Sequence, residues 1–309
     1  TDKIDGGAGD DTLTMTAAGL TTEFAGVSNI ETVAFTASTG TVAMDVSKLS
    51  AGVTTVEVDH SDSNSNNTTA EVLTISNLDG QSVTIKHTTA NAQAAGPVGD
   101  SSDADGASIT ITGKTDTADD AVSVKLAAID TEANEKGLQT LDVANFETVN
   151  IESALPTTGT VTNQVTALTA TSAKAVNVTG AADLTLTAVG GGAMTSLNAS
   201  ALAGKFTATL AGDKVAVSLG QKDSTVNFAA TLNNDDSVTG GAGKDTLTAS
   251  ASGLTATTGA LKIANVETIN LTTGGNNTLD LSGVTGTGVT VAVTDNVQTI
   301  TGFDLAHTI

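Results

Sequence analysis

The sequence predicts an all-β chain, and three observations carry that reading. Short runs alternate apolar and polar residues, Thr makes up roughly one residue in five, and Gly, Asn and Asp clusters punctuate the runs. Alternating runs stand at 55–58 (TVEV), 82–86 (SVTIK), 108–112 (SITIT), 176–178 (VNV), 184–187 (LTLT) and 289–293 (VTVAV). Turn clusters separate them, as at 77–80 (NLDG), 189–192 (VGGG) and 273–277 (TGGNN). A 3.6-residue period shows only weakly, over 124–139, which reads as one short helix or a loop.

Composition narrows the function. The 309 residues include no Cys, Trp or Tyr, and all twelve basic residues are Lys. A formal charge of −22 argues against nucleic acid, which needs a basic footprint, and against bare anionic lipid headgroups. The same charge suits a chain that collects divalent cations. Without Cys there is neither a disulfide framework nor thiol chemistry. No run of about 18 apolar residues is present, so no helical membrane span is expected. No basic-then-apolar leader opens the chain, and Thr1 already lies inside a motif, so a longer parent polypeptide is expected.

Two glycine-rich turns recur. Residues 2–14 (DKIDGGAGDDTLT) return almost unchanged at 236–248 (DSVTGGAGKDTLT). A second phrase appears three times, as VSNIETVAF at 27–35, VANFETVNI at 143–151 and IANVETINL at 263–271. A third follows it, as MDVSKL at 44, LNASAL at 197 and LDLSGV at 279. Upstream of Asn145 the glycine turn is replaced by 111–124 (ITGKTDTADDAVSV), where Asp116, Asp119 and Asp120 stand in an acidic, degenerate version. These recurrences predict three units, 1–107, 108–235 and 236–309, the second with an insertion.

In the glycine turns, Gly supplies φ > 0 for a tight bend with inward carbonyls, and Asp supplies a hard carboxylate. Oxygen-only anionic ligands suit Ca²⁺. GGAGDDTLT and GGAGKDTLT match the G-G-x-G-x-D-x-U-x nonapeptide of RTX proteins. With its Thr- and Ala-rich, acidic, cysteine-free surroundings, the chain resembles RTX-type bacterial S-layer proteins and related surface adhesins.

That resemblance implies an elongated parallel β-solenoid or β-roll with Ca²⁺ between glycine turns. Asp11 and Asp245 would supply carboxylates, and Gly6, Gly7, Gly9, Gly240, Gly241 and Gly243 would supply carbonyls. Asp2 and Asp236 would hold the Asp place of a preceding, truncated repeat, Asp116, Asp119 and Asp120 would be the metal ligands of the degenerate turn, and either Asp5, Asp10 or Asp235 would complete a site or its affinity would be low. RTX arrays stack several nonapeptides, whereas each place here has about one and a half. The resemblance further implies an extracellular, type I-exported structural protein that self-assembles into a cell-surface lattice. Contact with outer-membrane polysaccharide would fall to parts outside this segment.

Other signals have plainer readings. The run at 62–67 (DSNSNN) mimics the start of an EF-hand loop, but Leu73 stands where its last ligand belongs, so a polar loop is expected. The acidic run at 99–106 reads as a linker or a low-affinity calcium site, with the linker favoured, and His60, His87 and His307 read as surface residues. Glu31, Glu147 and Glu267 are expected to bond backbone at the start of a strand. No nucleophile motif, zinc spacing or phosphate loop suggests an enzyme. An adhesin segment recognising a surface, a glycan or ice is the alternative function, although the uneven spacing of Thr tells against ice. Strand spacing also suits tandem β-sandwiches.

Overall fold

The computed structural model describes residues 3–16, 26–37, 41–60, 72–86, 107–127, 137–155, 162–212, 214–250, 259–272, 277–294 and 297–302. Asp2, the run at 62–67, the run at 99–106, His87 and His307 lie outside them. The described chain is a parallel β-solenoid. Two long sheets face each other, and successive strands alternate between them. A twelve-stranded sheet begins at Thr12–Thr16 and runs to Val284–Thr285, and an eleven-stranded sheet runs from Thr41–Asp45 to Thr290–Thr294. Pairs Ile4–Asp5 with Val27–Ser28, and Asn277–Asp280 with Val297–Thr301, make two small sheets. All pairings are parallel, and they continue across both expected unit boundaries.

The alternation in the sequence follows from this architecture. A parallel sheet covered on both faces reads as a continuous apolar run. Here each sheet keeps one face wet, so every second side chain points inward. Val122, Val149, Val176, Leu197, Val217, Val238, Ile263 and Val284 are successive register partners and are all buried. Each such side chain contributes roughly 1.5–3 kcal/mol by leaving water. Phe35, Phe206 and Phe228 are the largest of the fully buried side chains among the described residues.

Each of the six alternating runs quoted above lies mostly or wholly within a strand. The helix-or-loop stretch resolves differently at its two ends. Residues 124–127 finish strand Ala121–Ala127 and Leu138 opens strand Leu138–Ala144, while 128–136 fall outside the described residues. Among the described residues the one helical element is a 3-10 turn, Val46–Lys48.

Candidate functional site: the glycine–aspartate turns

Each acidic turn is stitched to the Asn-Glu corner of the next coil. Asn29, Asn145 and Asn265 all take left-handed backbone angles (φ 51, 64 and 52), a region that Asn tolerates better than most residues. Two residues on, Glu31 Oε2 accepts the Asp11 N–H at 2.8 Å, Glu147 Oε2 that of Asp120 at 3.1 Å, and Glu267 Oε2 that of Asp245 at 2.8 Å. The aspartates reciprocate through their carbonyls, which accept from Thr32 (3.0 Å), Thr148 (3.0 Å) and Thr268 (3.1 Å). A Cβ on Gly6, Gly113 or Gly240 would lie 2.0, 2.8 or 1.7 Å from the carbonyl oxygen of that same Asn. The two phrases recur together because they form one joint.

The two glycine turns differ, although their sequences nearly agree. Gly7 and Gly9 have φ of 90 and 138, as a tight bend requires. Gly240, Gly241 and Gly243 do not enter that region. They are small because the neighbouring coils touch them: a Cβ would meet Asn265 O at 1.7 Å, Gly220 O at 1.5 Å and Asp223 N at 2.2 Å. The φ > 0 explanation therefore holds for Gly7 and Gly9 and is corrected to close backbone approach for Gly6 and for the whole second copy. The copies also occupy opposite edges of the solenoid. The first leads into the twelve-stranded sheet, and the second leaves that sheet for the eleven-stranded one.

Their carboxylates have different duties. Asp245 is fully buried, its Oδ1 accepting the Ser224 N–H at 2.9 Å and its Oδ2 the Gly241 N–H at 2.7 Å. Burial pushes its pKa above the ordinary 3.8, and Glu267 and Asp223 push the same way against the two N–H groups. Both oxygens of Asp245 thus already accept a backbone N–H. Asp236 is spent likewise, on Val215 N and Asn233 N, both at 2.7 Å.

Asp11 is placed otherwise. Among the described residues no backbone N–H is bonded to its side chain as that of Ser224 is to Asp245. The Gly7 N–H goes to Asp5 Oδ1 at 3.1 Å, and Asn29 Nδ2 donates to the same oxygen at 2.7 Å. Asp11 Oδ2 is buried and has no hydrogen-bond partner among the described residues. Asp10 lies beside it, exposed, and the carbonyls of Gly6, Gly7 and Gly9 accept no hydrogen bond among the described residues. An orphaned carboxylate oxygen with free carbonyls in the same turn fits a hard cation.

The degenerate turn does not gather its three aspartates. Asp116 and Asp119 are exposed, and Asp120 accepts the Thr117 hydroxyl at 2.5 Å and its N–H at 2.8 Å. Those bonds hold the Asp120 carboxyl below 3.8. Among the described residues no group of three or more His, Asp or Glu side chains is assembled around a common point.

Sequence reasoning missed the role of the third phrase. Asp45, Asn198 and Asp280 each accept the N–H of the Ser two residues on (Ser47 at 3.0 Å, Ser200 at 3.1 Å, Ser282 at 3.0 Å), closing an Asx turn at a strand end for Asp45 and Asp280 and, for Asn198, inside strand Ser196–Leu202 where its register with the neighbour shifts. The Asp/Asn-x-Ser spacing was its available signal. No family model, curated protein or solved structure matches this chain.

Proposed function

We propose that this solenoid is a structural segment of a secreted bacterial surface layer, stiffened by Ca²⁺ at the Gly6–Asp11 turn and assembled with copies of itself. The observation that carries the reading is the unpartnered, buried Asp11 Oδ2 inside an RTX-like nonapeptide. Asp11, with Asp10 and the carbonyls of Gly6, Gly7 and Gly9, would hold the ion. A bound Ca²⁺ supplies positive charge to oxygens that have no donor. The carboxylates concentrated on a −22 chain repel one another, and cation uptake lowers that repulsion within and between molecules. Rigid, flat-sided stacking suits a load-bearing part.

The test is a calcium titration against EDTA, following far-UV circular dichroism and light scattering together. Calcium raises the melting temperature and scattering then grows; Asp11→Ala loses the calcium-dependent part. Asp245→Ala weakens the fold equally in calcium and in EDTA, because its carboxylate caps backbone. Folding with calcium but no growth in scattering transfers the segment to a calcium-stabilised adhesin. No response in either signal defeats the proposal.

A further inference from the structure

The outer face of the eleven-stranded sheet carries a row that the sequence conceals. Thr185, Thr207, Thr225, Thr246, Thr268 and Thr290 are successive register partners on six neighbouring strands. Their spacing along the chain is uneven, 18 residues from Thr207 to Thr225 but 22 from Thr246 to Thr268, so no Thr-x-Thr period is visible. Coils of different length absorb the unevenness at the edges and bring the threonines into line. Two residues along each strand a second row follows, Thr209, Asn227, Thr248 and Asn270, also in register.

Three further properties mark this face. Its last five strands, Phe206–Leu210, Thr225–Asn227, Thr246–Ser250, Thr268–Thr272 and Thr290–Thr294, contain no charged residue, in a chain of net charge −22. Among the described residues none of the six hydroxyls in the first row makes a hydrogen bond. Thr is also stiff at χ1, so the hydroxyls and methyls are held in place before any ligand arrives.

The geometry decides among occupants. Six strands about 4.8 Å apart make a row about 24 Å long, and strands of five residues make it about 13 Å wide, roughly 300 Å² in all. A stable protein partner covers about 800 Å² on each side, so a second copy is poorly matched. Sugars favour aromatic platforms, and the chain has no Trp or Tyr. A charged ligand meets no counter-charge here. What the face repeats is a neutral lattice, about 4.8 Å across strands and about 6.7 Å along them. Hexagonal ice repeats its oxygens at nearly these two spacings. We propose that this face binds ice, the methyls ordering water between the rows and the hydroxyls joining its lattice. The inference stands on strand register and does not depend on calcium at Gly6–Asp11.

The experiment is partition of the purified chain between slowly grown polycrystalline ice and liquid, in calcium buffer, with thermal hysteresis read on the same sample. Thr225→Lys places a charge in the middle of the row. Ser123→Lys places the same charge on the exposed face of the other sheet. Circular dichroism establishes that both variants keep the fold, and Thr207→Lys substitutes if Thr225→Lys does not. Wild type and Ser123→Lys enter the ice and show hysteresis, and Thr225→Lys stays in the liquid. The proposal is overturned if wild type is excluded from ice, or if both lysine variants behave alike. A soluble dimer that Thr225→Lys abolishes also overturns it, by giving the face to a second copy. Calcium-driven scattering in the absence of ice reports the surface-layer reading separately, so either idea can fail alone.

Discussion

Replacing Gly240 by Ala would set a methyl 1.7 Å from Asn265 O and 2.8 Å from Asp245 Oδ2, where ordinary contact begins near 3.4 Å. Asn265 belongs to the next coil, so relief requires moving one coil against another. That motion strains the Gly240 N–H to Ala264 O bond (2.8 Å) and the Asn265 N–H to Thr285 O bond (2.9 Å). Overpacking costs about 1–3 kcal/mol and two weakened backbone bonds about 1 kcal/mol each, so the loss is about 3–5 kcal/mol. Two companions isolate the cause. Gly7→Ala meets open space but has φ of 90, a strain of about 1–2 kcal/mol. Gly192→Ala meets nothing and has no such angle, and is neutral or about 0.4–1 kcal/mol stabilising. The assay is urea unfolding in EDTA, followed by far-UV circular dichroism. If Gly240→Ala unfolds with wild type there, the glycine serves an ion and the contact argument fails.

Three other outcomes are expected. Glu267→Ala strips the acceptor from the Asp245 N–H and costs about 1–3 kcal/mol in urea melts, whereas Glu267→Gln, which keeps an oxygen there, costs less; equal losses would refute the joint. Asp45 has its pKa held below 3.8, first by the Ser47 hydroxyl and then by the Asn77 amide, so the stability it contributes is present above 3.8 and lost as pH falls through the lowered value. Asp45→Asn, copying Asn198, keeps the turn but removes that share of acid sensitivity, read as a flatter unfolding midpoint between about pH 5 and pH 2. Asp11→Asn leaves one carboxamide oxygen and no charge, so its melting temperature rises less with calcium than wild type while matching it in EDTA.

What was legible in the sequence was whatever a single coil decides. Alternation in VTVAV or SVTIK reports one wet and one dry face, and no other strand is needed to read it. What was not legible lies between coils. Gly240 looks like a flexible turn residue until Asn265 is known to sit against it. Asp245 shows no sign in the sequence of Ser224, 21 residues away, whose N–H donates to it. Glu31, Glu147 and Glu267 do bond backbone, as their place before a strand suggests, but the partner in each case is the aspartate of the preceding acidic turn. Thr225 carries no sign of Thr246, because the length of the intervening loop has no fixed value.

That freedom of loop length has a practical side. Neighbouring residues in the sheets are as close in sequence as Leu13 and Val33 or as distant as Val83 and Val124, 41 positions apart, yet the step across the sheet is the same. The turns between strands therefore behave as sockets: foreign peptide spliced at the exposed Gly192 should be displayed without disturbing the ladder, whereas a single residue added inside Ala121–Ala127 would turn that strand inside out.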